Sequence, residues 1–116
     1  MKAQKRNNNR SSRIASNIRR AVAEILLTEF AEDSIISRVS LTDAVDGIGF
    51  IKMFYHVRGD ATGVQKRLDE ITPMVRFQMA GRIEQKYVPN IKFVYDDTLE
   101  KSNRIDELLN QIKGDL

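Results

Sequence analysis

The chain has 116 residues, a formal net charge of +3 and no cysteine. This length suits one domain that buries a core without disulfides or a structural metal, and the missing cysteines exclude thiolate sites and cysteine nucleophiles. No apolar run approaches the roughly 20 residues of a membrane span, and the polar start lacks the apolar segment of a secretory signal, so a cytoplasmic protein is expected.

Positive charge is concentrated at the amino end of the chain. The basic residues that precede the first acid, Glu24, are Lys2, Lys5, Arg6, Arg10, Arg13, Arg19 and Arg20. The chain beyond Tyr95 is acidic on balance. This asymmetry indicates a polyanionic partner near the amino end.

The first predicted elements are a tail and a long helix. Residues 1–10 are polar and basic with nothing to bury, which predicts a disordered tail before one domain over residues 11–116. Ser11 or Ser12 can cap a helix that ends near Glu32, because apolar residues recur there at helical spacing. These residues are Ile14, Ile18, Ala21, Val22, Ile25, Leu26 and Phe30.

Two β-rich runs joined by Asp46-Gly47 predict a hairpin. In the first run, Val39, Leu41 and Val45 alternate with Ser40, Thr42 and Ala44. In the second run, the side chains expected under the helices are Ile51, Met53, Tyr55 and Val57. The opposite face carries Phe50, Lys52, Phe54 and His56, joined by Lys92 and Val94 of a later strand. Such a surface can bind RNA by charge and stacking, and a half-exposed sheet can equally carry these residues without binding.

The middle of the chain predicts two helices separated by a proline. Val64, Leu68 and Ile71 recur at helical spacing, and Val75, Met79 and Ile83 continue the period. A proline inside a helix removes a backbone donor and clashes with the preceding turn, so a kink is expected at Ile71, Thr72 and Pro73.

The rest of the chain predicts a strand and a last helix. After Pro89, the alternation of Ile91, Phe93 and Tyr95 is typical of a half-buried strand. Asp97 and Glu100 have the spacing of a capping box, and an apolar period follows them. Three strands with helices on one face make an α+β domain.

Five basic residues outside the sheet are candidates for phosphate contacts. Arg82 is expected on the solvent side of the second central helix, with Arg76 near its apolar edge and Lys86 at its end. Arg19 and Arg20 lie on the first helix. Arg76 can instead cover core surface while its guanidinium reaches water, and Lys86 can interact with the helix dipole.

No catalytic constellation is present in the sequence. His56 is the single histidine, and a zinc site needs three or four nitrogen or sulfur ligands. There is no glycine-rich phosphate loop and no nucleophile elbow. The sequence therefore predicts a protein that is not an enzyme and uses no metal, cofactor or small-molecule substrate.

Several runs of the chain resemble bacterial ribosome-binding factor A. They are Met74-Val75-Arg76, Val88-Pro89 followed by Ile91, Phe93 and Tyr95-Asp96-Asp97, and Arg104-Ile105 followed by Leu108-Leu109. Arg13-Ile14-Ala15 and the strand patterns fit as well, so the resemblance covers nearly the whole chain. It implies a type II KH-like fold in the order helix, strand, strand, helix, kink, helix, strand, helix.

The resemblance also implies a function. It is that of a cytoplasmic, non-enzymatic assembly factor that binds the free small ribosomal subunit and assists late maturation of its ribosomal RNA, particularly in the cold. A monomer that uses no membrane is expected. A generic KH-type binder of single-stranded RNA is the alternative, although it would grip RNA at a glycine-rich loop that this sequence lacks. A protein-only adapter that uses the outer sheet face also stays open.

The chain departs from the family pattern at three places that bear on binding. Ile71-Thr72-Pro73 stands where the family has alanine-x-glycine, and Ser34-Ile35 stands where proline-arginine is usual. Gln85-Lys86 stands where leucine-arginine is usual, although the positive charge is kept. The favoured RNA surface joins Arg82, Arg76 and Lys86 to Arg19 and Arg20. The competing surface is the outer sheet face with Lys52, Phe54, His56 and Lys92.

Overall fold

The computed structural model describes residues 2–83 and 88–115, with side chains over 13–83, 88–98 and 100–112. The elements are α1 (Lys2–Glu29), β1 (Val39–Asp46), β2 (Phe50–Val57), α2 (Val64–Met79), β3 (Asn90–Tyr95) and α3 (Thr98–Asp115). A short 3-10 helix, Ile36–Arg38, precedes β1. Three helices and a three-stranded mixed sheet confirm the predicted α+β class.

The sheet has β2 at its centre. β1 pairs with β2 in the antiparallel direction, and β3 pairs with β2 in the parallel direction. A parallel pair needs a crossover connection, and α2 supplies it between β2 and β3. The predicted inward residues Ile51, Met53, Tyr55 and Val57 are all buried. They pack with the apolar faces of α1 and α2 in one core.

The first helix begins earlier than the sequence predicts. A start at Ser11 or Ser12 is expected, and α1 begins at Lys2. The segment 2–29 has no glycine or proline, so nothing in it stops a helix. Among the residues of α1 whose side chains the structure describes, the first to pack against the core is Ile14. The division into a disordered tail, 1–10, and a domain, 11–116, stays a prediction.

The central helix runs through Pro73 without a break. The predicted division into two helices is wrong, because α2 is continuous from Val64 to Met79. The Thr72 hydroxyl donates to the Leu68 carbonyl oxygen at 2.7 Å. The turn after Met79 holds Arg82, so Arg82 does not lie on a second helix.

The alternation in β1 changes phase part-way along the strand. Leu41 pairs with Tyr55 and Asp43 pairs with Phe54, so Thr42 is an extra residue at a β-bulge. Ala44 consequently packs against the core, and Val45 is exposed. The predicted grouping of Val45 with Val39 and Leu41 is therefore wrong.

The last helix forms as predicted and buries little of its apolar side. Its large apolar residues are half-exposed, namely Ile105, Leu108, Leu109 and Ile112. Its start is held to the sheet because the Thr42 hydroxyl donates to Asp96 at 2.5 Å. No helix in the described residues has the length and apolar character needed to cross a membrane.

Candidate nucleic-acid interface

Arg82 is held by acids of α1. Its Nη1 donates to Glu24 Oε1 at 2.7 Å, and its Nη2 lies 3.9 Å from Glu29 Oε1. The Arg82 side chain is only 27% exposed. An arginine already paired with a carboxylate must break or share that pair before it contacts a phosphate, so Arg82 is a weaker phosphate ligand than the sequence predicts.

Arg76 caps the backbone that leads into β3. Its guanidinium donates to the Pro89 carbonyl oxygen at 3.2 Å and to the Val88 carbonyl oxygen at 3.3 Å. These bonds join the carboxyl-terminal half of α2 to the start of β3. Arg76 thus has a structural role. The sequence leaves open that Arg76 covers core surface, but it does not predict these two carbonyl partners.

Lys86 lies outside the described residues. Its place relative to Arg82 therefore stays a prediction.

Exposed arginines of α1 form a row beside Arg82. Arg13, Arg20 and Glu24 are seven and four residues apart, which puts them on one side of the helix. Arg13 and Arg20 are exposed, and Glu24 joins the row to Arg82. Arg19 is half-buried and points about 100° away from Arg20 around the helix axis. The structure links Arg82 through Glu24 to the side of α1 that carries Arg20, and it adds Arg13, which is not among the predicted site residues.

The outer sheet face holds a second basic pair. Lys52 and Lys92 are register partners on β2 and β3, and both are exposed. Neighbouring strands lie about 4.8 Å apart, so these two side chains share one small area of the face. The predicted grouping of these lysines is present in the structure.

The aromatic part of the outer face has acidic neighbours. Asp43, Asp96 and Asp97 line a shallow hollow beside Phe54. His56 stacks on Tyr95 with ring centroids 5.9 Å apart, which gives the single histidine a packing role. Carboxylates around Phe54 repel the phosphates that accompany a stacked base, so this end of the face is poorly suited to RNA.

The segment at Pro73 does not form an anion site. Ile71 is buried, and the Thr72 hydroxyl already donates to the Leu68 carbonyl oxygen. Pro73 is exposed but has no backbone N–H to offer. This segment lacks the donors with which a glycine-rich loop approaches a phosphate backbone.

Asp33 organises the connection between α1 and β1. Its carboxylate accepts the amides of Ile35 and Ile36 at 2.9 Å and the Arg67 guanidinium at 2.8 Å. The Ile36 amide, with the Arg67 guanidinium, lowers the pKa of Asp33 below its usual value. Ile35 packs against the core.

These features define the class of protein. The chain is a KH-like α+β domain with exposed basic rows, and its described residues contain no cluster of three or more histidines and carboxylates that could bind a metal.

A family model described as Ribosome-binding factor A matches residues 10–109, so the chain belongs to that family. The ribosome-binding factor A of Limosilactobacillus fermentum is 36% identical over 110 residues, which cover 89% of this chain and 90% of that protein. That of Synechococcus sp. (strain JA-2-3B'a(2-13)) is 31% identical over 110 residues, covering 90% and 76% respectively.

Solved structures share the fold. The crystal structure of ribosome-binding factor A from Thermus thermophilus matches with a TM-score of 0.65 at 15% identity, covering 73% of this chain and 93% of that one. A homology model of the Thermus thermophilus factor, fitted into the cryo-EM map of a 30S complex, matches with a TM-score of 0.61 at 14% identity, covering 74% and 94%.

Proposed function

We propose that this protein binds the free small ribosomal subunit and assists late maturation of its ribosomal RNA, including during growth in the cold. It acts in the cytoplasm as a non-enzymatic assembly factor. Two things support the proposal: membership of the ribosome-binding factor A family, and the reported fit of a Thermus thermophilus relative into the map of a 30S complex.

The observation that carries the proposal is the basic row on α1. Arg13 and Arg20 are exposed on one side of the helix and lead towards Arg82 at Glu24. Phosphate contacts supply a large share of the affinity in nucleic-acid complexes, so two exposed arginines on one side of a helix are a suitable surface for ribosomal RNA. We therefore assign the RNA contact to the basic half of α1, with Arg82 as a supporting residue.

A matched pair of charge-reversal variants tests this surface. The helix variant carries Arg13→Glu and Arg20→Glu, and the sheet variant carries Lys52→Glu and Lys92→Glu. Both replace two exposed cations by two anions, so the net charge changes equally. Cosedimentation with free small subunits should weaken about tenfold or more for the helix variant and change little for the sheet variant. Thermal melting must show both variants folded.

The opposite ranking of the two variants would move the RNA contact to the outer sheet. The same cosedimentation with full ribosomes and with an unstructured RNA separates the two candidate functions. The generic single-stranded RNA binder predicts equal affinity for the unstructured RNA and for free subunits. An assembly factor prefers the free small subunit to both.

Maturation is tested in cells that lack the protein. Unprocessed small-subunit ribosomal RNA should accumulate in the cold, and the wild-type chain should reverse this more fully than the helix variant. Normal processing in the depleted cells would contradict the assembly role without affecting the binding result.

A further inference from the structure

A cleft between α1 and β1 is apolar and open to solvent. Its volume is about 320 Å³, and its walls include Leu26, Leu27, Ile36 and Leu41. Leu27 is 75% exposed although it lies on the wall of the cleft. A leucine in this position gains apolar contacts only when another group occupies the cleft.

The cleft follows the free edge of the sheet. β1 pairs with β2 on one side and with no other described strand on its opposite side. The Arg58 amide donates to the Arg38 carbonyl oxygen at 2.9 Å, and paired residues of an antiparallel ladder alternate in hydrogen bonding. By that alternation, the backbone groups of Val39 and Leu41 point away from β2.

Val39 and Leu41 each have one backbone N–H and one carbonyl at this edge, and three of these four groups are available to a partner. The Val39 amide donates to the Ile36 carbonyl oxygen at the end of the 3-10 helix. The Leu41 N–H, the Leu41 carbonyl and the Val39 carbonyl remain at the edge. An additional antiparallel strand would bond all three, with one of its residues opposite Leu41.

The charge around this edge is acidic. Between Ala21 and Ile51, Glu24 and Glu29 face Arg82 and Asp33 pairs with Arg67, which leaves the acids Glu32, Asp43 and Asp46 and the one base Arg38. The Arg38 guanidinium donates to the Ser34, Arg58 and Asp60 carbonyl oxygens, so it is less available to neutralise the acids. Among the described residues, no cation lies within salt-bridge distance of Glu32, Asp43 or Asp46.

We propose that the β1 edge and the adjoining cleft bind a basic, extended peptide segment as an additional strand. Its apolar side chains alternate with lysine or arginine, so that one set enters the cleft beside Leu27 and the other meets Asp43, which shares the outer face with its register partner Phe54. The acidic surroundings exclude RNA from this edge. They also oppose pairing of β1 with β1 of a second copy, because two edges of the same acidic charge would meet. The peptide surface is thus separate from the basic row of α1 and does not depend on it.

The test uses isolated protein and a synthetic peptide in which lysine and valine alternate over about nine residues. A peptide in which glutamate replaces lysine is the charge control. The lysine peptide should bind and should slow hydrogen exchange of the Leu41 amide, read by nuclear magnetic resonance. The glutamate peptide should do neither.

Two matched leucine variants locate the site. Leu27→Ser removes an apolar wall of the cleft and should weaken the lysine peptide about fivefold or more. Leu108→Ser makes the same change at a half-exposed position of α3 and should leave the affinity within about twofold. Asp43→Lys reverses the charge on the outer face of β1, and it should weaken the lysine peptide and permit the glutamate peptide to bind.

Three results would overturn the proposal. They are equal binding of the two peptides, unchanged exchange of the Leu41 amide in the bound state, or equal effects of the two leucine variants. A single-stranded RNA that protects the Leu41 amide would also overturn it. Because small subunits are absent from these samples, the outcome is independent of the proposed function.

Discussion

Asp96 connects the sheet to α3 through its carboxylate. It accepts the Thr42 hydroxyl at 2.5 Å and the Thr98 amide at 3.0 Å. The Thr42 hydroxyl, followed by the Thr98 hydroxyl and amide, lowers the pKa of Asp96 to about 2 from an ordinary 3.8. Because the folded pKa lies below the unfolded one, the resulting stability is present above pH 3.8 and is lost as the pH falls through 2.

We expect Thr42→Val to raise the pKa of Asp96 by about one unit, because the strongest donor to the ionised carboxylate is removed. A carboxyl-carbon titration by nuclear magnetic resonance measures this directly. The variant should also lose less stability than the parent between pH 4 and pH 2 in urea unfolding. Thr28→Val is the control, since the Thr28 hydroxyl donates to a backbone carbonyl and not to a carboxylate. An unchanged Asp96 pKa in Thr42→Val would show that the hydroxyl bond is not formed in solution.

Arg76 and Arg82 illustrate what residue type alone leaves undecided. Both are predicted from the sequence to contact phosphate. In the structure, Arg76 donates to two backbone carbonyls and Arg82 donates to Glu24. Glu24 is 58 positions away from Arg82 in the chain. Local spacing carries no signal for such a pair, so only the packing of α2 against α1 reveals it.

Among the secondary-structure elements, α2 tolerates the free-energy penalty of a proline inside a helix, at Pro73. The helix continues through it, and the apolar period from Val64 to Met79 keeps one face in the core. Burial of that face outweighs a proline penalty of about 3 kcal/mol relative to alanine. The sequence prediction gives the proline too much weight, because propensity is weaker than a sustained apolar face.

Pro73→Ala should therefore stabilise the protein by about 1–2 kcal/mol. The exposed alanine restores a helical hydrogen bond, and the greater freedom of the unfolded chain offsets part of the gain. Thermal melting should show a rise of roughly 4–8 °C per kcal/mol. A fall in the melting temperature would mean that the proline conformation is needed by the fold. Glu70→Ala, one turn earlier on the exposed face, controls for loss of a surface side chain.

Considered as a whole, the molecule separates its charges along α1. α1 is basic as far as Arg20, and Glu24 and Glu29 in its last turns face Arg82. Under the two proposals, a polyanion is attracted to the basic part of α1 and a basic peptide is attracted to the acids at the β1 edge. The two proposed surfaces therefore do not compete.

Removing residues 1–10 should weaken binding to free small subunits and flatten its dependence on salt. Four basic residues leave with the segment, namely Lys2, Lys5, Arg6 and Arg10. Each lost phosphate contact reduces the slope of log K against log salt concentration by about 0.7–0.9. The melting temperature should not change, because residues 2–10 contain no large apolar side chain that could add to the core. An unaltered affinity across a salt series would show that this segment contributes no phosphate contact.

The sequence by itself determined the α+β class, the hairpin and the core faces of α1, β2, α2 and β3. Apolar periodicity is a local property, and one buried face per element follows from it. The bulge at Thr42, the unbroken α2 and the partners of Arg76 and Arg82 were decided by the tertiary structure, since each depends on residues far apart in the chain. The candidate site followed the same division. Charge counting and the helical period located its basic end, with Arg13 and Arg20 opposite the apolar stripe of α1. Only packing showed that Arg82 is paired, because that pairing depends on a neighbouring element.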